Sequence, residues 1–199
     1  MKRQMILCLM IISFCAATVV AQSTVTDIRK VDFRNFTYSS SLCSQEYGRQ
    51  GIGKIVRVSN GEFKNKNVYF TVDDKSILYA DVTGDGHEDA IVPIDCGATA
   101  ANFSRTEIQI YTIRNGRAMF LAEITDKDME RDYRANYADA EGYWGTNENG
   151  IKTNNGNVVI EVLADGPHAG PKYIVTMEYH LNGNTFRLNG KPPRKSAGQ

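Results

Sequence analysis

The sequence predicts a mostly β protein, an antiparallel sheet or sandwich with at most one short helix. Turn chemistry is the first reason. Asn-Gly occurs six times, at Asn60-Gly61, Asn115-Gly116, Asn149-Gly150, Asn155-Gly156, Asn182-Gly183 and Asn189-Gly190. Both residues tolerate the positive φ of tight hairpins, which makes the pair the strongest short-range hairpin signal. Short runs rich in β-branched and aromatic residues lie between many of these turns, which is the second reason. The third is that helical signals are confined to one stretch.

In chain order, the first element reads as a targeting signal, residues 1–21. Lys2 and Arg3 give a positive end, Met5 to Cys15 an apolar run, and Val19-Val-Ala21 compact residues before the cleavage point. That run is short for a membrane span, and no later segment approaches the ~20 apolar residues a span needs. Residues 22–190 read as one exported domain, periplasmic or secreted, long enough for a real core. Ile55–Val58 precedes the Asn60 turn and Val68–Val72 follows it after a polar stretch, both as strands, and Ala90 to Asp95 is another. Ile108–Ile113 and Ala118–Ala122 flank the Asn115 turn; Val158–Leu163 follows the Asn155 turn; Tyr173–Tyr179 and Thr185–Leu188 bracket the Asn182 turn. Thr125 to Arg134 is the one short helix, capped by Thr125, with Met129 and Tyr133 on one face. Residues 136–150 read as a loop around Trp144, the only tryptophan. Residues 191–199 carry two prolines and no apolar anchor, and read as a flexible basic tail.

Charge excludes some partners. With the signal removed, the basic and acidic residues nearly balance, at a net charge of about −2. Nothing favours nucleic acid or anionic lipid. Cys8 and Cys15 leave with the signal, so Cys43 and Cys96 remain and in an oxidising compartment most simply form a disulfide. Closing a loop of about 53 residues stabilises a fold by ~4 kcal/mol on the chain-entropy account.

The stretch from Tyr79 to Val92 carries the sharpest chemical signal. Asp81, Asp85 and Asp89 recur at every fourth position around Gly84-Asp85-Gly86. At ~5 Å each like-charge pair costs ~1 kcal/mol in water and ~3 at an effective dielectric of 20. A hard cation that takes oxygen ligands relieves that repulsion. Asp81 to Asp89 resembles the calcium loop of FG-GAP and VCBS repeats, over about a dozen residues of the chain. The resemblance implies Ca2+ held by Asp81, Thr83, Asp85, the backbone carbonyl of His87, and Asp89. Thr83 departs from the pattern, a neutral hydroxyl standing where a carboxylate or amide is usual. An EF-hand is disfavoured, because Val92 stands where that loop needs a glutamate. The competing reading is a glycine-rich hairpin whose aspartates only cap the turn. The motif occurs once, which argues against a propeller.

Other motifs carry less. Gly48 to Ile55 has P-loop glycine and lysine spacing, but Ile55 stands where Ser or Thr must reach magnesium. In Asp165-Gly-Pro-His168, Asp165 could orient His168 as a base, the basis of an alternative reading as a hydrolase. Neither a Gly-x-Ser-x-Gly elbow nor a His-Glu-x-x-His motif occurs. Tyr133, Tyr137, Tyr143 and Trp144 either line a groove for sugar or peptide or plug an open sheet face. The expectation is a non-enzymatic binding or envelope-associated module, with a cell-envelope protein or glycan as partner and no oligomeric state implied.

Overall fold

The structure, a computed structural model, describes residues 25–167 and 170–198. The expected signal at 1–21 and His168 lie outside the described residues. Strands in chain order are β1 (Thr37–Ser39), β2 (Ile55–Arg57), β3 (Glu62–Lys64), β4 (Val68–Thr71), β5 (Leu78–Ala80), β6 (Asp89–Ala98) and β7 (Ser104–Arg114). Then come β8 (Arg117–Thr125), β9 (Tyr143–Asn154), β10 (Asn157–Ala164), β11 (Tyr173–Asn182), β12 (Thr185–Leu188) and β13 (Arg194–Ser196). Two short helices, α1 (Leu42–Tyr47) and α2 (Asp126–Asn136), punctuate them.

Among the described residues all strand pairs are antiparallel, in three sheets. The central sheet has the order β3–β4–β6–β7–β8, with β5 also on β6. A second sheet runs β12–β11–β10–β9, with β13 also on β11, and β1 pairs β2 by itself. The central sheet is covered on both faces. One face buries Phe70, Val92, Ile94 and Tyr111 against Phe33, Tyr38 and Val56 of the N-terminal segment. The other buries Ile91, Ile108, Ile110 and Ile124 against Val158, Ile160, Val162, Val175 and Met177 of the second sheet and Met129 and Tyr133 of α2. Two-sided burial explains why β6 reads as a continuous apolar run rather than an alternating one. Each such side chain contributes about 1.5–3 kcal/mol by leaving water.

The hairpins follow the turn chemistry. Asn115-Gly116 joins β7 to β8 and Asn155-Gly156 joins β9 to β10, with all four residues at positive φ. Helix α2 begins as expected, with Thr125 and Asp128 capping reciprocally. Cys43 and Cys96 are bonded, Sγ–Sγ 2.04 Å, tying α1 to the central sheet.

Three segments differ from expectation. Helix α1 is a second short helix, six residues long, whose Cys43 N–H donates to the buried Glu107 carboxylate at 2.6 Å. That cap comes from a strand 64 residues away, so no local signal announces it. Much of the expected 136–150 loop is strand β9. Residues 191–199 include a paired strand, β13, rather than only a flexible tail. Its anchor is cationic: the Arg194 guanidinium lies 4.1 Å from the Tyr137 ring centre and 4.4 Å from that of Tyr173, and pairs with Asp139 at 2.5 Å.

Candidate functional site

The aspartate loop bridges β5 and β6, and its geometry is that of a turn closed by its own backbone. Asp81 Oδ1 accepts from the N–H groups of Gly84 (2.6 Å) and Asp85 (3.2 Å) and from the Thr83 hydroxyl (3.3 Å), and Oδ2 from Gly86 N–H (2.8 Å). These bonds, led by that from Gly86, hold the Asp81 carboxyl below its usual value. Asp85 is exposed, and its Oδ1 accepts from His87 N–H at 2.9 Å. Asp89 is fully buried, with Oδ2 accepting from Val82 and Thr83 N–H, both at 3.1 Å. Burial pushes the Asp89 carboxyl up, and the groups that favour its charged form, Thr112 first, offset this only in part. Its Oδ1 has no hydrogen bond of good geometry. Gly84 and Gly86 sit at φ +74° and +86°, which the tight chain path requires. Among the described residues, no three His, Cys, Asp or Glu side chains gather as a group that could hold a metal ion. The loop thus brings the expected ligands into one turn but spends four of their six carboxylate oxygens on N–H groups.

The loop is also braced from outside. Glu88 forms a two-pronged pair with Arg29, at 2.6 and 2.8 Å, and the Arg29 guanidinium lies 4.5 Å from the Tyr79 ring centre. The β9–β10 hairpin packs onto it so closely that a Cβ at Gly156 would stand 2.8 Å from the Asp81 carbonyl oxygen.

Asp165 is a structural hub. It is buried at φ +55°, and its carboxylate accepts from the Tyr133 hydroxyl (2.6 Å) and from the N–H groups of Glu141 (2.8 Å) and Gly142 (2.9 Å). Arg194 Nη1 stands 3.9 Å away. Burial opposes its ionisation, but the Tyr133, Gly142 and Glu141 bonds and the Arg194 charge together hold the carboxyl below its usual value. These partners fix the chain where α2, β9 and β13 meet. Of the other histidines, His87 is exposed and His180 half-buried on β11. The P-loop-like stretch lies between α1 and β2, in the order helix, loop, strand, the reverse of a phosphate-binding loop.

The tyrosine cluster divides. Tyr133 and Tyr143 are buried and plug the second core, where Tyr143 donates to the buried Asp126 at 2.6 Å. Trp144, next in sequence, lines a cleft of about 870 Å³ between the two large sheets. That is within the range of ~300–1,000 Å³ in which small-molecule sites fall. One wall is β9 from Trp144 to Ile151; the other is built from β3, β4, β5, β6, β7, the turns at 60–61 and 73–76 and the loop at 102–103. The Trp144 indole N–H donates to the Asp165 carbonyl at 3.1 Å, so the hub positions this ring. Phe103, exposed on the opposite wall, lies under the Arg105 guanidinium at 4.5 Å. Asp95 faces the cleft from β6, accepting from the Thr106 hydroxyl at 2.9 Å.

Strand β9 shapes this cleft through a bulge. Ile151 pairs with Ile160 and Thr146 with Val162, so residues 147–150 stand opposite Glu161 alone. A Cβ at Gly150 would lie 2.8 Å from the Asn147 carbonyl oxygen and 2.9 Å from that of Glu161, so glycine is required there. The bulge presents Asn147, Glu148 and Asn149 to the cleft. Sequence reasoning singled out Trp144 but missed Asp95, Thr106, Phe103 and the bulge, which gather only once the two sheets pack. No family model, curated protein or solved structure matches the chain.

Proposed function

We propose that the protein is an exported, non-enzymatic binding module that holds a cell-envelope ligand, protein or glycan, in the cleft between its two large sheets. The observation that carries this reading is the cleft itself, with one aromatic ring on each wall and polar side chains between them. Aromatic faces with a few fixed polar groups are the usual make-up of a binding site. Export is supported by the Cys43–Cys96 bond, the chemistry of an oxidising compartment. Trp144 makes the reading testable, because one tryptophan supplies the whole indole emission and stands in the cleft. Soluble peptidoglycan fragments, neutral oligosaccharides and short peptides would be titrated into the protein while Trp144 emission and the amide shifts of residues 144–151 are followed. Saturable shifts confined to the cleft are expected for one class; no shift at millimolar concentration with any class removes the reading.

The aspartate loop adds a structural Ca2+ in this proposal. Asp81, Asp85 and Asp89, with Thr83 and the His87 carbonyl, would hold it. What supports the fit is the buried Asp89 Oδ1, which lacks a well-formed hydrogen bond, together with the exposed Asp85 carboxylate. What opposes it is the set of N–H bonds already made to Asp81 and Asp89. Extracellular sites of this type bind at ~10⁻⁴–10⁻³ M. At tenfold saturation the ion adds ~1.4 kcal/mol, a rise of about 3–6 °C in melting temperature for a domain of this size. Wild type should show that rise between chelator and millimolar calcium, and Asp85→Ala should lose it. An unchanged wild-type melting curve, with no calorimetric heat, leaves the aspartates as caps of a bare turn.

A further inference from the structure

We infer that the cleft takes an extended polypeptide segment carrying lysine or arginine side chains, laid along the free edge of β9. This rests on the cleft being the binding site and narrows its ligand to one class.

Charge is the first support. Glu62, Asp73, Asp95 and Glu148 line the cleft, against Lys75 as the basic residue among its lining. Lys64, 3.9 Å from Glu62, and the Arg105 guanidinium over the Phe103 ring stand beside the lining and offset part of this charge, so the acidic excess belongs to the lining residues themselves. The whole sequence has equal numbers of basic and acidic residues, so the sign is local to the cleft rather than a background. Low-dielectric walls focus such a field and raise the local concentration of a cationic partner.

Backbone geometry is the second support. Strand β9 ends the order of the second sheet and, among the described residues, pairs only with β10. Its other edge is without a strand partner among the described residues, and residues 144–151 line the cleft. A peptide strand added there satisfies backbone donors and acceptors that a sugar meets less regularly. The 147–150 bulge breaks the edge into two short stretches, which limits indiscriminate strand pairing while leaving room for a short segment. The third support is aromatic. Trp144 and Phe103 line the two walls and give the alkyl stems of lysine or arginine aromatic surface to pack along.

The test uses the purified protein and four probes: a nine-residue lysine–threonine alternating peptide, its glutamate and glutamine counterparts, and a chito-oligosaccharide. Trp144 emission and the amide shifts of residues 144–151 report occupancy. The lysine peptide should bind, weaken roughly tenfold between about 0.05 and 0.5 M salt, and fail to bind when alternate amides are N-methylated. A Glu62→Gln/Glu148→Gln variant, altered only at exposed positions, should weaken it several-fold, whereas Glu141→Gln, exposed and outside the cleft, should not. Binding of the glutamate or glutamine peptide equal to that of the lysine peptide overturns the charge assignment. Binding of the N-methylated peptide overturns the strand geometry. Cleft shifts with the oligosaccharide and none with any peptide overturn the inference but leave the binding module standing. No response to any probe removes both.

Discussion

Replacing Asp165 offers the sharpest test of how this molecule is organised, because one carboxylate joins α2, β9 and β13. Asp165→Ala leaves the Tyr133 hydroxyl and the Glu141 and Gly142 N–H groups without their acceptor. Each buried group left unsatisfied costs about 1–3 kcal/mol. Alanine at φ +55° adds a further ~1 kcal/mol of backbone strain. Some of the three groups will recover water, so the expected loss is about 3–5 kcal/mol, roughly 6–20 °C in melting temperature. Asp165→Asn tolerates the backbone conformation and keeps one oxygen acceptor, and should lose about 1–2 kcal/mol. The pH dependence has a definite sign. A carboxyl whose native value is depressed contributes stability above its unfolded value, near 3.8, and loses it as pH falls through the native value. The gap between wild type and Asp165→Asn should therefore be widest at neutral pH and close on acidification. Urea unfolding followed by Trp144 emission measures this directly, since the indole N–H is bonded to Asp165 itself. A loss below ~1 kcal/mol for Asp165→Ala would refute the hub. A hydrolytic activity abolished by Asp165→Asn at unchanged stability would instead restore the reading in which Asp165 orients His168.

Two other perturbations probe the N-terminal layer. Cys43→Ala/Cys96→Ala should lower stability by up to ~4 kcal/mol in urea unfolding, and reduction of wild type should give a comparable loss; a shift under 1 kcal/mol would mean the unfolded chain is already compact. Glu107 is fully buried, and burial pushes its carboxyl up, helped by the charge of Glu123 and opposed by the Cys43 N–H. Its native form therefore holds its proton to higher pH than the unfolded chain, and its contribution is lost as pH rises from about 4.5 through the raised value. The stability of wild type relative to Glu107→Gln should fall with rising pH over that window, and a rise would contradict the assignment.

Legibility in the sequence tracked how local the determining interaction is. Helix α2 could be placed because Thr125, Asp128, Met129 and Tyr133 lie within nine residues and act on one another. The hairpins at Asn115 and Asn155 were readable for the same reason, their φ values being set by the turn residues themselves. Helix α1 was not, since its cap is Glu107 on a distant strand. Strand β13 was not either, since prolines and basic residues read as solvated until Arg194 finds Tyr137 and Tyr173 across the chain. The Cys43–Cys96 pair could be foreseen by elimination, and Cys96 at the end of the Ala90 strand as well, although the helix that carries Cys43 could not.

The candidate site shows the same division more severely. The aspartate loop advertises itself because its residues are contiguous, yet in the folded chain Asp81 and Asp89 are largely occupied in closing the turn. The cleft advertises nothing, because its parts come from six strands, β3, β4, β5, β6, β7 and β9, and the connections between them. Strand β9 was hidden by its own chemistry. Apart from Thr146, residues 145–150 are glycine, asparagine and glutamate, poor strand formers, and residues 147–150 sit in a bulge. An edge strand can carry such residues because one side of its ladder needs no partner in the sheet, and a bulge keeps that edge from pairing at random. The features that disguise β9 as a loop are thus those that leave its backbone available in a cleft. For this chain, departure from strand propensity between helix α2 and strand β10 marks the sheet edge that lines the cleft, which the acidic motif does not.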